Sequence, residues 1–237
     1  MNMNMNINIK IKSPNFIKRK NNERIDTIII HYTGIKNENV AIKRLCDPDA
    51  KVSAHYFINR KGCIWQLVGD DKVAWHAGVS KWLNRINLNG TSIGIELCNP
   101  GHENKYINFT DFQYKTLEYL LFNLKEKYCI YPDRILGHSD VAPSRKIDPG
   151  EKFDWKRLAK KKLAIWPNKI IAPKSKIHNI DYYLSIIGYD VNTDFNSCLL
   201  AFKRHFLPDD NSLIINQKIL NMAYSVSEEF KKIRSLY

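Results

Sequence analysis

The run Ile-Asp-Thr-Ile-Ile-Ile-His-Tyr (25–32) constrains the fold more than any other segment of this chain. Asn-Asn-Glu-Arg precedes it, Thr-Gly follows it, and its three consecutive isoleucines leave no polar face. A short apolar run rich in β-branched residues and bounded by such signals reads as a buried central strand. The fold class expected from it is α/β, a mixed central β-sheet flanked by helices. His31 stands at the carboxyl end of the run, where sites collect in such sheets.

Other segments fill in this frame. Residues 39–46 read as a short helix. His-Tyr-Phe-Ile-Asn and Cys-Ile-Trp-Gln-Leu-Val, joined by Arg-Lys-Gly (60–62), read as a hairpin turned on glycine. Ser-Ile-Gly-Ile-Glu-Leu (92–97) is another strand, with Glu96 inside it. A glutamate there either faces solvent from an edge strand or points into a cleft. The best helix runs from Thr110 to Tyr128. Thr110 can cap it, and Asp111 sits in its first turn. Phe112, Leu117, Leu120, Leu121, Leu124 and Tyr128 recur at helical spacing and predict a core stripe. Residues 134–137 form a short strand that delivers His138, and Asp154 opens a basic helix through about Ala164. With Pro167 and Pro173 the stretch 167–176 reads as a linker. Beyond it, Ile180–Ile187, Phe195–Phe206 and Leu213–Ile233 predict a small three-helix module. The expected division is an N-terminal arm (1–24), a main domain (25–166), the linker (167–176) and the three-helix domain (177–237).

The net charge of +13 over 237 residues raises nucleic acid, an anionic membrane or an acidic polymer as partners. Lys, Asn and Ile are abundant throughout, which points to a general compositional bias. No arginine-rich stripe with interleaved aromatics and no nucleic-acid module is present, so nucleic acid is set aside. Cys46, Cys63, Cys98, Cys129 and Cys198 include no close pair, which argues against a disulfide framework and a cysteine zinc site. Cys63, Cys98 and Cys129 lie in apolar surroundings and read as small core residues. No span approaches the length of a transmembrane helix. The N-terminus alternates Met or Ile with Asn or Lys and lacks the apolar core of a signal peptide. It reads as a disordered arm or a period-2 edge strand. The literal chain thus points to the cytoplasm, with a periplasmic or secreted location as the alternative.

Chemistry concentrates in Gly-His-Ser-Asp-Val-Ala-Pro-Ser-Arg-Lys-Ile-Asp-Pro-Gly (137–150). It brings His138, Lys146 and Asp148 close in sequence, and Pro143 and Pro149 keep it out of any continuous helix. With His31 it offers two imidazoles and a carboxylate. That donor set suits one Zn2+ with an open fourth position, as in a hydrolase rather than a structural site. Spacing alone leaves open that these are surface polar residues. Trp75, His76 and Trp82 suit a cleft rim that meets sugar rings, or loop packing. His55 reads as a satisfied strand histidine, His102 as a loop residue, and His178 and His205 as surface or packing residues.

Five blocks occur in order: 28–33, 52–58, 74–78, 92–97 and 137–150. Together they resemble the zinc-dependent N-acetylmuramoyl-L-alanine amidases of the second type, over roughly residues 13–167. That family shares its fold with phage lysozyme-type amidases and peptidoglycan-recognition proteins. The tail, with Ser-Ile-Ile-Gly-Tyr (185–189) and Ala-Phe-Lys-Arg-His-Phe (201–206), resembles the three-helix peptidoglycan-binding module often appended to such enzymes. The resemblance implies zinc ligation by His31, His138 and Asp148, where some relatives use a cysteine in place of Asp148. It implies that Glu96 is the catalytic glutamate and Lys146 the basic residue of hydrolytic members. Peptidoglycan or muropeptides would then be the partner, cleaved between the N-acetylmuramoyl (or 1,6-anhydro-N-acetylmuramoyl) group and L-alanine. Glu96 would serve as general base, with zinc and Lys146 on the oxyanion. One departure is Ala54, where phage members carry a tyrosine near the zinc. A non-catalytic peptidoglycan receptor would lack a ligand or Glu96, and neither is missing. A zinc endopeptidase acting on stem peptides is the other alternative.

Overall fold

The computed structural model of the chain describes residues 7–173 and 179–237. In chain order the strands are β1 (Phe16–Lys18), β2 (Thr27–Tyr32), β3 (Tyr56–Ile58), β4 (Ile64–Gln66), β5 (Lys72–Ala74), β6 (Lys81–Trp82), β7 (Arg85–Ile86), β8 (Ser92–Leu97) and β9 (Ile135–Gly137). The α-helices are α1 (Glu38–Cys46), α2 (Asp111–Tyr128), α3 (His138–Val141), α4 (Trp155–Lys160), α5 (Ile180–Ile187), α6 (Phe195–Phe206) and α7 (Gln217–Arg234). They fall into two compact units. The first is Met1–Gly78 with Asn87–Ile130, and the second is Val79–Ile86 with Tyr131–Tyr237.

In the first unit β2 is the buried strand that its isoleucines require, with Ile28, Ile29 and Ile30 fully enclosed. It runs parallel to β8, and β8 runs parallel to β3. The predicted hairpin is present: β3 pairs antiparallel with β4, Ile58 opposite Ile64. The strand order is β4-β3-β8-β2, and the mixture of parallel and antiparallel pairs matches the sequence reading. Helix α1 places Ala41, Ile42 and Leu45 against Phe57, Leu67 and Cys98. Helix α2 starts with a capping box between Thr110 and Gln113 and buries Tyr114, Leu117, Leu120, Leu121 and Leu124.

Three details differ from expectation. Phe112 is 63% exposed, because at 100° per residue it lies about two-fifths of a turn from the centre of the buried face. Cys63 and Cys129 are exposed, and only Cys98 of the three is buried. Cys129 ends α2 in a left-handed conformation on the surface. The described part of the N-terminal arm belongs to this unit. β1 pairs with β5, Asn8 bridges Trp65, and the Asn15 amide donates to the carbonyls of Asp47 and Val52, both at 2.8 Å. The alternating residues 1–6 lie outside the described residues.

The second unit holds β6, β7, β9 and helices α3 to α7. Trp82 is buried at its centre, edge-on to Tyr189 with ring centroids 5.1 Å apart, and Phe230 lies 6.3 Å away. The indole also covers Gly188, where a Cβ would collide with it. Asp133 accepts from Arg234 Nε (3.0 Å) and the Tyr237 hydroxyl (2.8 Å). These contacts tie residues 79–86 and 131–134 to the C-terminal helices. The bounds of the compact units fall at residues 78/79, 86/87 and 130/131. Helix α4 stops at Lys160, and α7 starts at Gln217 behind the capping side chain of Asn216, leaving Leu213–Ile215 exposed. His178, Lys174 and Ser175 lie outside the described residues. Among the described residues no helix is long and apolar enough to cross a membrane.

Candidate active site

His31 reaches the site from β2, and its neighbours in the first unit fix its orientation. Ser92 Oγ has one proton and donates it to the Leu88 carbonyl at 2.6 Å. The contact between Ser92 Oγ and His76 Nε2 at 3.2 Å is therefore donated by His76. That leaves His76 Nδ1 as an acceptor, and it lies 3.0 Å from His31 Nε2. With its proton on Nε2, His31 carries its lone pair on Nδ1, the arrangement of an imidazole that suits a metal. Gly94 makes the arrangement possible, since a Cβ there would strike the His76 ring. Asn89 Oδ1 fixes the segment by accepting from the backbone N–H of His76 (3.2 Å) and Ala77 (2.8 Å).

His55 packs edge-on to His76, with ring centroids 5.5 Å apart, but does different work. Its Nδ1 accepts from the Gly94 N–H at 3.0 Å, and its Nε2 donates to the Lys72 carbonyl at 3.1 Å. Both nitrogens are satisfied by backbone, as the sequence reading expected. Burial lowers its pKa from 6.5 to about 4, so it is neutral at pH 7.

In the second unit β9 ends at Gly137 and α3 begins at His138. The helix lasts four residues, in keeping with Pro143 downstream. The chain then returns so that the Ser139 N–H donates to the Asp148 carbonyl at 2.8 Å. This closure sets His138 Nδ1 3.1 Å from Asp148 Oδ2, both side chains buried. His31, His138 and Asp148 each offer one ligand atom, and these atoms lie within 4.8 Å of one another, a group that could hold a metal ion. Two imidazoles and one carboxylate, all buried, fit zinc in both ligand type and number.

Glu96 stands opposite His31 in the β2–β8 register and opposite Phe57 in the β8–β3 register. Register partners share a sheet face, so Glu96 lies on the face of His31 and is half-buried, on a strand paired on both sides and not at an edge. Lys146 is half-buried on the segment between the two ligands of the second unit, and its backbone N–H donates to the Ala142 carbonyl at 3.0 Å. Trp75 is half-buried and precedes His76, its N–H bonded to Ser53 Oγ at 2.8 Å.

Two residues read as cleft-rim groups have other surroundings. Trp82 is 1% exposed and its faces are taken by Gly188 and Tyr189, so it offers no surface to a sugar. His76 is buried with both ring nitrogens bonded to His31 and Ser92, so it supports His31. His102 is the loop residue expected, in a short 3-10 turn with Nδ1 2.9 Å from the Tyr32 hydroxyl. His205 is a packing residue and also bonds Asp140. The signal for His76 and Gly94 was present in the motifs Ala-Trp-His-Ala-Gly and Ser-Ile-Gly-Ile-Glu-Leu, but only tertiary placement shows that the glycine houses the histidine.

The family model described as N-acetylmuramoyl-L-alanine amidase (Amidase_2) matches residues 21–151. AmiD of Escherichia coli is 34% identical over 212 residues, covering 78% of this chain and 76% of AmiD. A solved complex of AmiD with anhydro-N-acetylmuramic acid-L-Ala-D-gamma-Glu-L-Lys matches with a TM-score of 0.76 at 29% identity, over 90% of this chain and 93% of that one. AmpDH3 of Pseudomonas aeruginosa matches with a TM-score of 0.79 at 27% identity, over 91% of this chain and 96% of that one. The 1,6-anhydro-N-acetylmuramyl-L-alanine amidase AmpD of Haemophilus influenzae is 39% identical over 164 residues, 62% of this chain and 87% of AmpD. The fold is that of the type 2 amidases. The chain belongs to the N-acetylmuramoyl-L-alanine amidase family and is an AmiD-like enzyme of that type.

Proposed function

We propose that this chain hydrolyses the amide bond between N-acetylmuramoyl or 1,6-anhydro-N-acetylmuramoyl groups and the L-alanine of peptidoglycan stem peptides, using one zinc ion. The observation that carries the reading is the buried His31–His138–Asp148 group, whose donor set matches a catalytic zinc site. Support for the substrate comes from relatives whose names specify this bond and from the muropeptide bound to AmiD. His31 and His138 through ring-nitrogen lone pairs, and Asp148 through a carboxylate oxygen, would hold the metal. When bound, zinc supplies a Lewis acid for the carbonyl and for water. Glu96 takes a proton from the attacking water and delivers it to the departing amine. The ammonium of Lys146 stabilises the negative charge that develops on the carbonyl oxygen. The C–N bond breaks, leaving a lactyl carboxylate on the sugar and a free L-alanine amino group on the peptide. Trp75 contributes an aromatic edge to the sugar. The C-terminal helices, which resemble a peptidoglycan-binding module, bring the enzyme to polymer.

The test is turnover of a defined anhydro-muropeptide before and after metal removal, with products read by mass spectrometry. Chelation abolishes cleavage, zinc restores it, and the products are the intact stem peptide and the free sugar acid. Full activity in verified metal-free protein overturns the zinc reading. Cleavage between amino acids instead makes the protein an endopeptidase, and binding without turnover makes it a receptor.

A further inference from the structure

In the second unit the ligand-bearing turn is anchored from behind by Asp140. Its carboxylate accepts three hydrogen bonds: from Gly137 N–H to Oδ2 (2.7 Å), from His205 Nδ1–H to Oδ2 (2.9 Å) and from the Tyr189 hydroxyl to Oδ1 (2.7 Å). Gly137 and Asp140 bracket His138 in sequence, whereas Tyr189 follows α5 and His205 lies in α6. All three side chains of this hub are more than nine-tenths buried. Burial beside Asp140 holds the Tyr189 hydroxyl well above its ordinary pKa, so it stays protonated and donates.

His205 is stacked between Trp155 and Phe206, each ring 4.0 Å away. Its Nε2 is buried with no hydrogen-bond partner among the described residues. A phenylalanine would fill that stack without an orphaned ring nitrogen. Packing therefore does not account for a histidine at this position, but its bond to Asp140 does.

We propose that Tyr189 and His205 are positioning residues for the metal site: acting through Asp140, the C-terminal helices hold the turn that carries His138 and so set the protein's affinity for zinc. The inference rests on the assignment of His138 and Asp148 as ligands. The turn is closed on itself by the bond from Ser139 N–H to the Asp148 carbonyl at 2.8 Å, so a shift of α3 alters His138 and Asp148 relative to each other. Partners behind metal ligands govern affinity through such shifts.

The experiment is a zinc titration of full-length, metal-stripped protein against a chromophoric chelator. Circular dichroism confirms the fold of each variant. The double variant Tyr189→Phe, His205→Phe keeps both rings and removes both donors. Its zinc affinity falls about 10–100-fold. His205→Asn places an amide N–H near the position of Nδ1 and recovers most of the affinity, although it abandons the stack. His205→Gln reaches the position of Nε2 and does not. A purely structural role gives the opposite order, with His205→Phe normal and both amides weak. If the double variant is too unstable to measure, Tyr189→Phe alone, which removes one hydroxyl, shows a smaller drop in the same direction. Unchanged affinity in the variants beside a zinc-binding wild type overturns this inference alone. A wild type that binds no zinc overturns the ligand assignment beneath it.

Discussion

At the scale of single residues, Glu96 and His55 show how one strand environment gives two histidine-site neighbours opposite duties. Glu96 shares a sheet face with His31 and remains half-buried, so it can exchange protons. Glu96→Gln keeps the shape and removes the base. Zinc content should stay at one per chain while turnover falls about 10²–10⁴-fold. Near wild-type turnover would place the base elsewhere. His55 is fully buried, bonded only to backbone, and holds its pKa near 4 instead of 6.5. Below the ordinary histidine pKa the unfolded chain binds a proton that the folded chain refuses. Stability from His55 is therefore complete above pH 6.5 and is lost as pH falls toward about 4. The loss is on the order of 3 kcal/mol. Urea unfolding of metal-free protein should show it between about pH 7 and pH 4. In a His55→Leu variant that part of the pH dependence should vanish, and an unaltered profile would assign the loss to other groups.

At the scale of an element, β8 carries more of the site than any other strand. Ser92 orients His76, Gly94 gives His76 its space and gives His55 an N–H, and Glu96 lies beside His31. These three alternate residues line one face of the strand. A single methyl should therefore propagate. Gly94→Ala forces the His76 ring out of position, at a cost of about 1–3 kcal/mol for overpacking. His31 then loses the acceptor that fixes its tautomer, and zinc affinity should weaken in the same variant. Thermal melting and chelator competition read the two effects. A melting temperature and zinc affinity both equal to wild type would mean that His76 moves without consequence.

At the scale of the whole molecule, the sequence division at residues 167–176 suggests that a chain ending near Trp166 would fold alone. The contacts of the second unit predict a different outcome. Truncation there removes Tyr189 and Phe230 from Trp82, Arg234 from Asp133, and both outer donors from the buried Asp140. An unsatisfied buried carboxylate is costly, and an exposed tryptophan favours aggregation. The expected result is a truncated protein with low solubility and reduced zinc affinity. It should lose activity on small soluble muropeptides as well as on insoluble wall. Paired assays of the full-length and truncated chains on both substrates check this. A loss confined to insoluble wall would mean that the helices serve substrate capture alone.

Much of the fold was legible because local chemistry dictated it. An isoleucine run had to be a covered strand, Thr110 had to cap a helix, and Arg-Lys-Gly had to turn a hairpin. The ordered blocks around His31, Glu96, His138 and Asp148 carried the family, and with it the candidate ligands. Other features depended on which elements meet, and no residue spacing encodes that. Trp82 looked like a cleft aromatic until Gly188 and Tyr189 covered it, and His76 looked like a substrate contact until Gly94 admitted it beside His31. The bonds from Tyr189 and His205 to Asp140 likewise join residues 49 and 65 positions apart. By itself the sequence determined the central strands and the cap of the long helix, because these follow from neighbours along the chain. Only the tertiary structure decided which buried groups face one another, because burial and hydrogen bonding are satisfied between residues far apart in sequence.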